Sequence, residues 1–167
     1  NLRDVQMNGS TLALSSADLG TIMLDTGSTY STVTSNFFNR LKNRLEADSG
    51  WMQLFRAGDF ANQACVISSM SRAQIDALLP QMGLSFTSTT GGTFTVMIPA
   101  TSSYLDAFVD PSSQKLAWCV GMLADDNLSR YSAIFGMAMM NQKIIVFDVD
   151  GGRVGFGQQK SCTQTYQ

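Results

Sequence analysis

Asp25-Thr26-Gly27-Ser28 is the stretch whose residue types and spacing suit acid–base chemistry. The apolar run Ile22-Met23-Leu24 precedes it, with strand propensity strongest at Ile22, and Thr29, Ser31, Thr32 and Thr34 follow. A strand that delivers one carboxylate onto a glycine turn ringed by hydroxyls poises that carboxylate for proton transfer. The same four residues also suit any polar turn after a strand. Nothing local separates the two readings.

Composition narrows the chemistry. Histidine is absent from all 167 residues, which excludes Ser-His-Asp and Cys-His catalysis and any histidine-ligated metal within the chain. Cys65, Cys119 and Cys162 are widely spaced and form no zinc pattern. The carboxylates are scattered, which leaves a calcium or magnesium cage unsupported. No metal and no cofactor is expected, and any reaction must run on carboxylates.

Hydrophobic residues make up 44% of the chain and charged residues 14%, a globular profile with enough length for a real core. The reading is one domain over residues 1–167. A net charge of −2 without a dense lysine or arginine cluster argues against nucleic acid as a partner. No apolar run approaches a membrane span. No signal peptide is visible, since Asn1 enters directly on a polar segment; any leader is removed or not included. The sequons Asn8-Gly9-Ser10 and Asn127-Leu128-Ser129 would accept glycans in a secretory compartment. With the cysteines they tilt the expected setting toward oxidising, secreted or vacuolar.

The elements that must position Asp25 read as short strands with turns between them. Leu2, Val5 and Met7, broken by Asn8-Gly9 and resumed at Thr11–Leu14, predict a hairpin. Ser35 is the expected N-cap of a helix over about residues 36–47, with Phe37, Phe38, Leu41 and Leu45 on its apolar face. Residues 48–64 read as loop with weak strand or helix content, Trp51 and Phe55 covering the core. Cys65-Val66-Ile67 is a strand, and the linker to Leu79-Pro80 has some helical content. Met82–Phe86 alternates as a half-buried strand does, Gly91-Gly92 turns, and Thr93–Ile98 alternates again. Tyr104-Leu105 starts another strand, and Leu116–Met122 is a single buried one. Ala133-Ile134-Phe135-Gly136 sets two apolar residues before a glycine. Ile144–Asp148 and Arg153–Gly157 form a closing hairpin around Asp150-Gly151-Gly152, in which Asp148 and Asp150 are structural. The class is all-β with one or two short helices.

Asp25-Thr26-Gly27-Ser28, Ile134-Phe135-Gly136, and Val146-Phe147-Asp148 with Arg153-Val154-Gly155-Phe156 together resemble the carboxy-terminal lobe of pepsin-like aspartic proteases. Leu79-Pro80 and Met97-Ile98-Pro99…Tyr104-Leu105 fit the same order and spacing. The resemblance covers nearly the whole chain. It implies an all-β pepsin-like lobe, a six-stranded closed or ψ-loop barrel-like half, within a bilobal aspartic endopeptidase. It implies a Cys65–Cys119 disulfide, and closing a loop of that length contributes roughly 4 kcal/mol in chain-entropy terms. Cys162 resembles the terminal cysteine of the membrane-anchored and plant vacuolar-type branches, which bonds outside this region; a free buried thiol is the alternative.

In that family two carboxylates share a proton around one water, one acting as base toward the water and the other as acid toward the peptide carbonyl. Asp25 would be one of them. Gly27 would bring its N–H to the carboxylate and Ser28 its hydroxyl, while Thr26 would join the inter-lobe hydrogen-bond network. Ser28 and Thr29 would also line the cleft for an extended peptide or protein substrate. The family's Asp-Thr/Ser-Gly-Thr/Ser pattern occurs once in the chain, at Asp25, and the family's flap belongs to the other lobe. The implied partner is an amino-terminal lobe carrying the second aspartate and the flap, supplied by cleavage of one precursor or, less favoured, replaced by a second copy of the chain. The competing reading is a non-catalytic pepsin-like homologue that acts as an inhibitor or protein-binding module.

Overall fold

A computed structural model describes residues 1–159. In chain order the elements are β1 (Leu2–Met7), β2 (Ser10–Thr11), β3 (Ile22–Leu24), β4 (Ser31–Val33), α1 (Ser35–Glu46), α2 (Ser49–Leu54), β5 (Cys65–Ser68), α3 (Arg72–Leu78), β6 (Met82–Thr87) and β7 (Thr93–Ile98). After a 3-10 turn at Ala100–Ser102 come β8 (Leu105–Val109), β9 (Leu116–Val120), β10 (Met122–Ala124), β11 (Ala133–Phe135), α4 (Met137–Met140), β12 (Lys143–Asp148) and β13 (Arg153–Gln158).

Among the described residues the strands form four open sheets, ordered β2-β1-β6-β7, β10-β4-β11-β3, β12-β13 and β5-β9-β8. This is the mostly-β pepsin-like lobe expected; among the described residues its sheets are open, and a closed barrel is not shown. The helix count also departs from expectation, with four short α-helices among the described residues where one or two were predicted.

Capping accounts for the extra helices. Asp48 Oδ1 accepts from the N–H groups of Gly50 and Trp51 and so starts α2. Ser71 and Gln74 satisfy each other's backbone N–H in a capping box that starts α3. Helix α1 forms as predicted and buries Phe37, Phe38, Leu41 and Leu45, but its N-cap is Thr34, not Ser35. The Ser35 N–H donates instead to Asp126 Oδ1 at 2.8 Å.

Trp51 stacks on Phe55 with ring centroids 4.2 Å apart and meets Phe60 edge-on at 5.8 Å. These rings and the α1 face join Val33, Met122 and Phe135 in one core, so the sheet that carries the Asp25 turn is anchored directly on it. The predicted Thr11–Leu14 strand stops after Thr11, because Ala13 turns into the left-handed region and donates to Thr11 Oγ1. β6 is not half-buried: Met82 to Phe86 are all buried, because β1 and β7 flank it on both edges while the core covers its faces.

The predicted strand Leu116–Met122 breaks at Gly121 and serves two sheets. β9 pairs with β5 and β8, while β10 runs parallel to β4. Cys65 and Cys119 face each other across β5 and β9 and are disulfide-bonded over a sequence separation of 54. Cys162 lies outside the described residues.

Asp18 ties the β3 approach to the start of α1. Its buried carboxylate accepts from the Ser15 N–H and hydroxyl, the Thr34 hydroxyl and the Asn36 amide. Burial pushes the carboxyl up, yet the Ser15, Thr34 and Asn36 bonds together outweigh it and leave its pKa below the ordinary value. A depressed folded-state pKa gives stability that is present above the unfolded carboxylate range and is lost as pH falls through the lower folded value. Asp18→Ala strands these donors and should destabilise the fold by about 3 kcal/mol near neutral pH. That loss should shrink on acidification below the ordinary carboxylate range. Urea titrations at several pH values check it; a loss independent of pH down to the acid limit would contradict the assignment.

Candidate functional site

The mixed sheet β10-β4-β11-β3 builds the Asp25 turn. β3 runs into it, β4 runs out of it, and β11 lies between them, parallel to β3 and antiparallel to β4. The Asp25 N–H donates to the Phe135 carbonyl at 2.9 Å, which continues the β3–β11 pairing into the turn itself. The Ser31 N–H donates to the Gly121 carbonyl at 3.1 Å, so the break between β9 and β10 holds the far side.

The turn is then locked from above by the β11–α4 junction. Met137 N–H donates to the Ser28 carbonyl at 2.8 Å, and Ala138 N–H to the Thr29 carbonyl at 3.1 Å. Gly136 N–H donates to Ser31 Oγ at 3.2 Å. The two chain segments are so close that a Cβ on Gly136 would stand 2.4 Å from the Tyr30 carbonyl oxygen and 2.7 Å from that of Ser28. The apolar-apolar-glycine element Ile134-Phe135-Gly136 therefore crosses the aspartate turn.

Within the turn, Gly27 N–H donates to Asp25 Oδ1 at 2.9 Å and the Ser28 hydroxyl to Asp25 Oδ2 at 2.6 Å. A Cβ on Gly27 would come within 3.2 Å of Oδ1, closer than the cradle readily admits. Both donors favour the charged carboxylate, so the Ser28 hydroxyl first and the Gly27 amide second hold the Asp25 pKa below its ordinary value. Ser28→Ala should therefore move the Asp25 titration upward, toward the ordinary carboxylate range, as read from its side-chain carbon NMR signal. An unmoved titration would mean that the hydroxyl does not set it.

Thr26 and Thr29 are exposed on either side of Ser28. Both line a depression of about 450 Å³ beside the turn, together with Asp106, Met137, Ala138, Met140 and Asn141. The sequence reading did not single out Asp106, Met137 or Met140, since no motif marks them. Asn8 and Asn127 are exposed and lie outside the strands and helices. Asp148 accepts from Gly151 N–H and Arg153 and closes the β12–β13 hairpin. Among the described residues, no three side chains of metal-ligating type come together, and no helix is long and apolar enough to cross a membrane.

No curated protein matches the chain. A family model described as "Xylanase inhibitor C-terminal" matches residues 1–158. That match spans the Asp25 turn, the β11 crossover and the closing hairpin, and the family falls within the pepsin-like aspartic proteases. The chain belongs to this xylanase-inhibitor C-terminal family and is a carboxy-terminal lobe of pepsin-like fold.

Proposed function

We propose that the chain is the carboxy-terminal half of a two-lobed aspartic endopeptidase, in which Asp25 and an aspartate of the amino-terminal lobe activate a water between them. The observation that carries this reading is the cradle of Asp25: each carboxylate oxygen has one donor, from Gly27 and Ser28, and the group stays partly accessible. With two carboxylates sharing a proton, one removes a proton from the water as it attacks the peptide carbonyl. The other gives its proton to the carbonyl oxygen, and the pair titrates as a unit. Thr26 and Thr29, with exposed side chains, are placed to meet the companion lobe and an extended peptide.

A carboxy-terminal lobe implies an amino-terminal one, and the closing hairpin supports such docking. Ile144, Val146, Phe147 and Val154 leave apolar surface exposed there. The Cys65–Cys119 disulfide and the exposed sequons at Asn8 and Asn127 support a secreted or vacuolar setting with glycans at those two sites.

A second reading is favoured by the description of the family itself. In it the lobe belongs to a non-catalytic inhibitor, and Asp25 is a retained structural residue. One pair of assays separates the two. The chain, produced together with its companion lobe, is tested in acid for pepstatin-sensitive cleavage of an unfolded protein, and separately for inhibition of a xylanase. Pepstatin-sensitive cleavage supports the endopeptidase. Xylanase inhibition without cleavage at any acidic pH overturns it in favour of the inhibitor.

A further inference from the structure

Asp106 is the one acidic residue of the depression beside the Asp25 turn. It is the second residue of β8, which pairs with β9 (Asp106 opposite Cys119), and its Cβ lies 3.4 Å from the position of a Gly121 Cβ. Tyr30 Cδ1 lies 3.5 Å from the same point, so Asp106 and Tyr30 both pack against Gly121. Oδ1 accepts from the Ala107 N–H at 2.8 Å, which fixes the carboxylate. No lysine or arginine forms an ion pair with it among the described residues; the two ion pairs there are Lys42–Glu46 and Arg153–Asp148. Around it, Met137 and Met140 supply a polarisable apolar wall, with Met137 about half exposed.

A carboxylate with no ion-pair partner among the described residues, in a depression that methionines also line, matches one kind of side chain. A long aliphatic stem lies along methionines, and a cation at its tip forms charge-assisted hydrogen bonds with the carboxylate. Thr26 and Thr29 form the wall shared with the Asp25 turn, so a chain passing over Asp25 has this depression within reach of a side chain. We infer that the depression is a specificity subsite for a lysine or arginine of a bound peptide, with Asp106 taking the charge and Met137 and Met140 the stem. The inference rests on the peptide-binding reading above and names its substrate class.

The test uses the chain with its companion lobe and dye-labelled octapeptides. One arginine is moved position by position through an otherwise neutral sequence, and each peptide is paired with a twin that carries citrulline at that place. Citrulline keeps the shape and removes the charge. At one position, the arginine peptide should exceed its twin in kcat/KM by about ten-fold, the scale of a hydrogen bond to a charged group. In Asp106→Asn that ratio should fall close to one. Cleavage with no arginine preference at any position, or a preference that survives Asp106→Asn, overturns the subsite while leaving the endopeptidase standing.

Fluorescence anisotropy of the same peptides reads binding without turnover. If nothing is cleaved but the arginine peptide binds more tightly than its twin through Asp106, the subsite stands and the endopeptidase falls. If the two peptides bind equally and neither is cleaved, both fall. The citrulline comparison is made first on the unmutated protein, so it decides the matter even where Asp106→Asn folds poorly.

Discussion

Asp25→Asn should reduce peptide cleavage by about 10⁴-fold or more, ~5 kcal/mol of transition-state stabilisation, in the protein assembled with its companion lobe. Asparagine keeps the shape of the side chain. Its carbonyl oxygen still accepts from Gly27 N–H, which now lies 2.9 Å from Asp25 Oδ1, and the Ser28 hydroxyl can turn to accept from the new amide. The fold should therefore survive, with an unfolding midpoint close to that of the parent. What is lost is the capacity to take or give a proton, and the dyad needs both of its members for that. Loss of cleavage with an unchanged midpoint is the expected pair of results. Cleavage that persists within a factor of ten would show that Asp25 is not a member of the reacting pair, and the inhibitor reading would then gain.

The second large effect is structural. Gly136→Ala should destabilise the protein by about 4 kcal/mol or more, at the far end of the range for single substitutions. The methyl group would sit 2.4 Å from the Tyr30 oxygen and 2.8 Å from its carbonyl carbon, and both are backbone atoms that cannot swing away. Relief requires β11 and α4 to lift from the turn. Lifting breaks the Gly136–Ser31, Met137–Ser28 and Ala138–Thr29 hydrogen bonds together. Gly155→Ala is the comparison, since the nearest atom to its methyl is Val146 Cβ at 3.6 Å, an ordinary contact. Urea unfolding of the two variants should place Gly136→Ala far below the parent and Gly155→Ala within about 1 kcal/mol of it. Equal midpoints would mean that the crossover is looser than its geometry.

Asp25-Thr26-Gly27-Ser28 alone suits any polar turn, so the turn became legible only through distant residues. The resemblance that joins it to Ile134-Phe135-Gly136 and the closing hairpin implied the roles of Gly27 and Ser28. The helices α2 and α3 escaped because Trp51, Leu54 and Phe55 are too few to set up a helical period, and Ile75 is the only fully buried residue of α3. Their capping residues, Asp48 and the Ser71–Gln74 pair, were the available signals. The sheet arrangement was less legible still. Nothing in Leu116–Met122 itself says that Gly121 passes the chain from one sheet to another. That transfer is what brings Asp106 next to the turn, so the depression and its carboxylate could be found only in three dimensions.

The cradle has one more implication, for assembly. Both donors to Asp25 belong to the same turn, and the crossover that braces that turn comes from the same chain. The carboxylate is therefore held by its own chain before any partner arrives. On the two-lobe reading, joining the halves is an encounter between finished surfaces. The entropy of arranging this aspartate has already been spent in folding the lobe, and the binding energy of the interface remains whole for holding the lobes together.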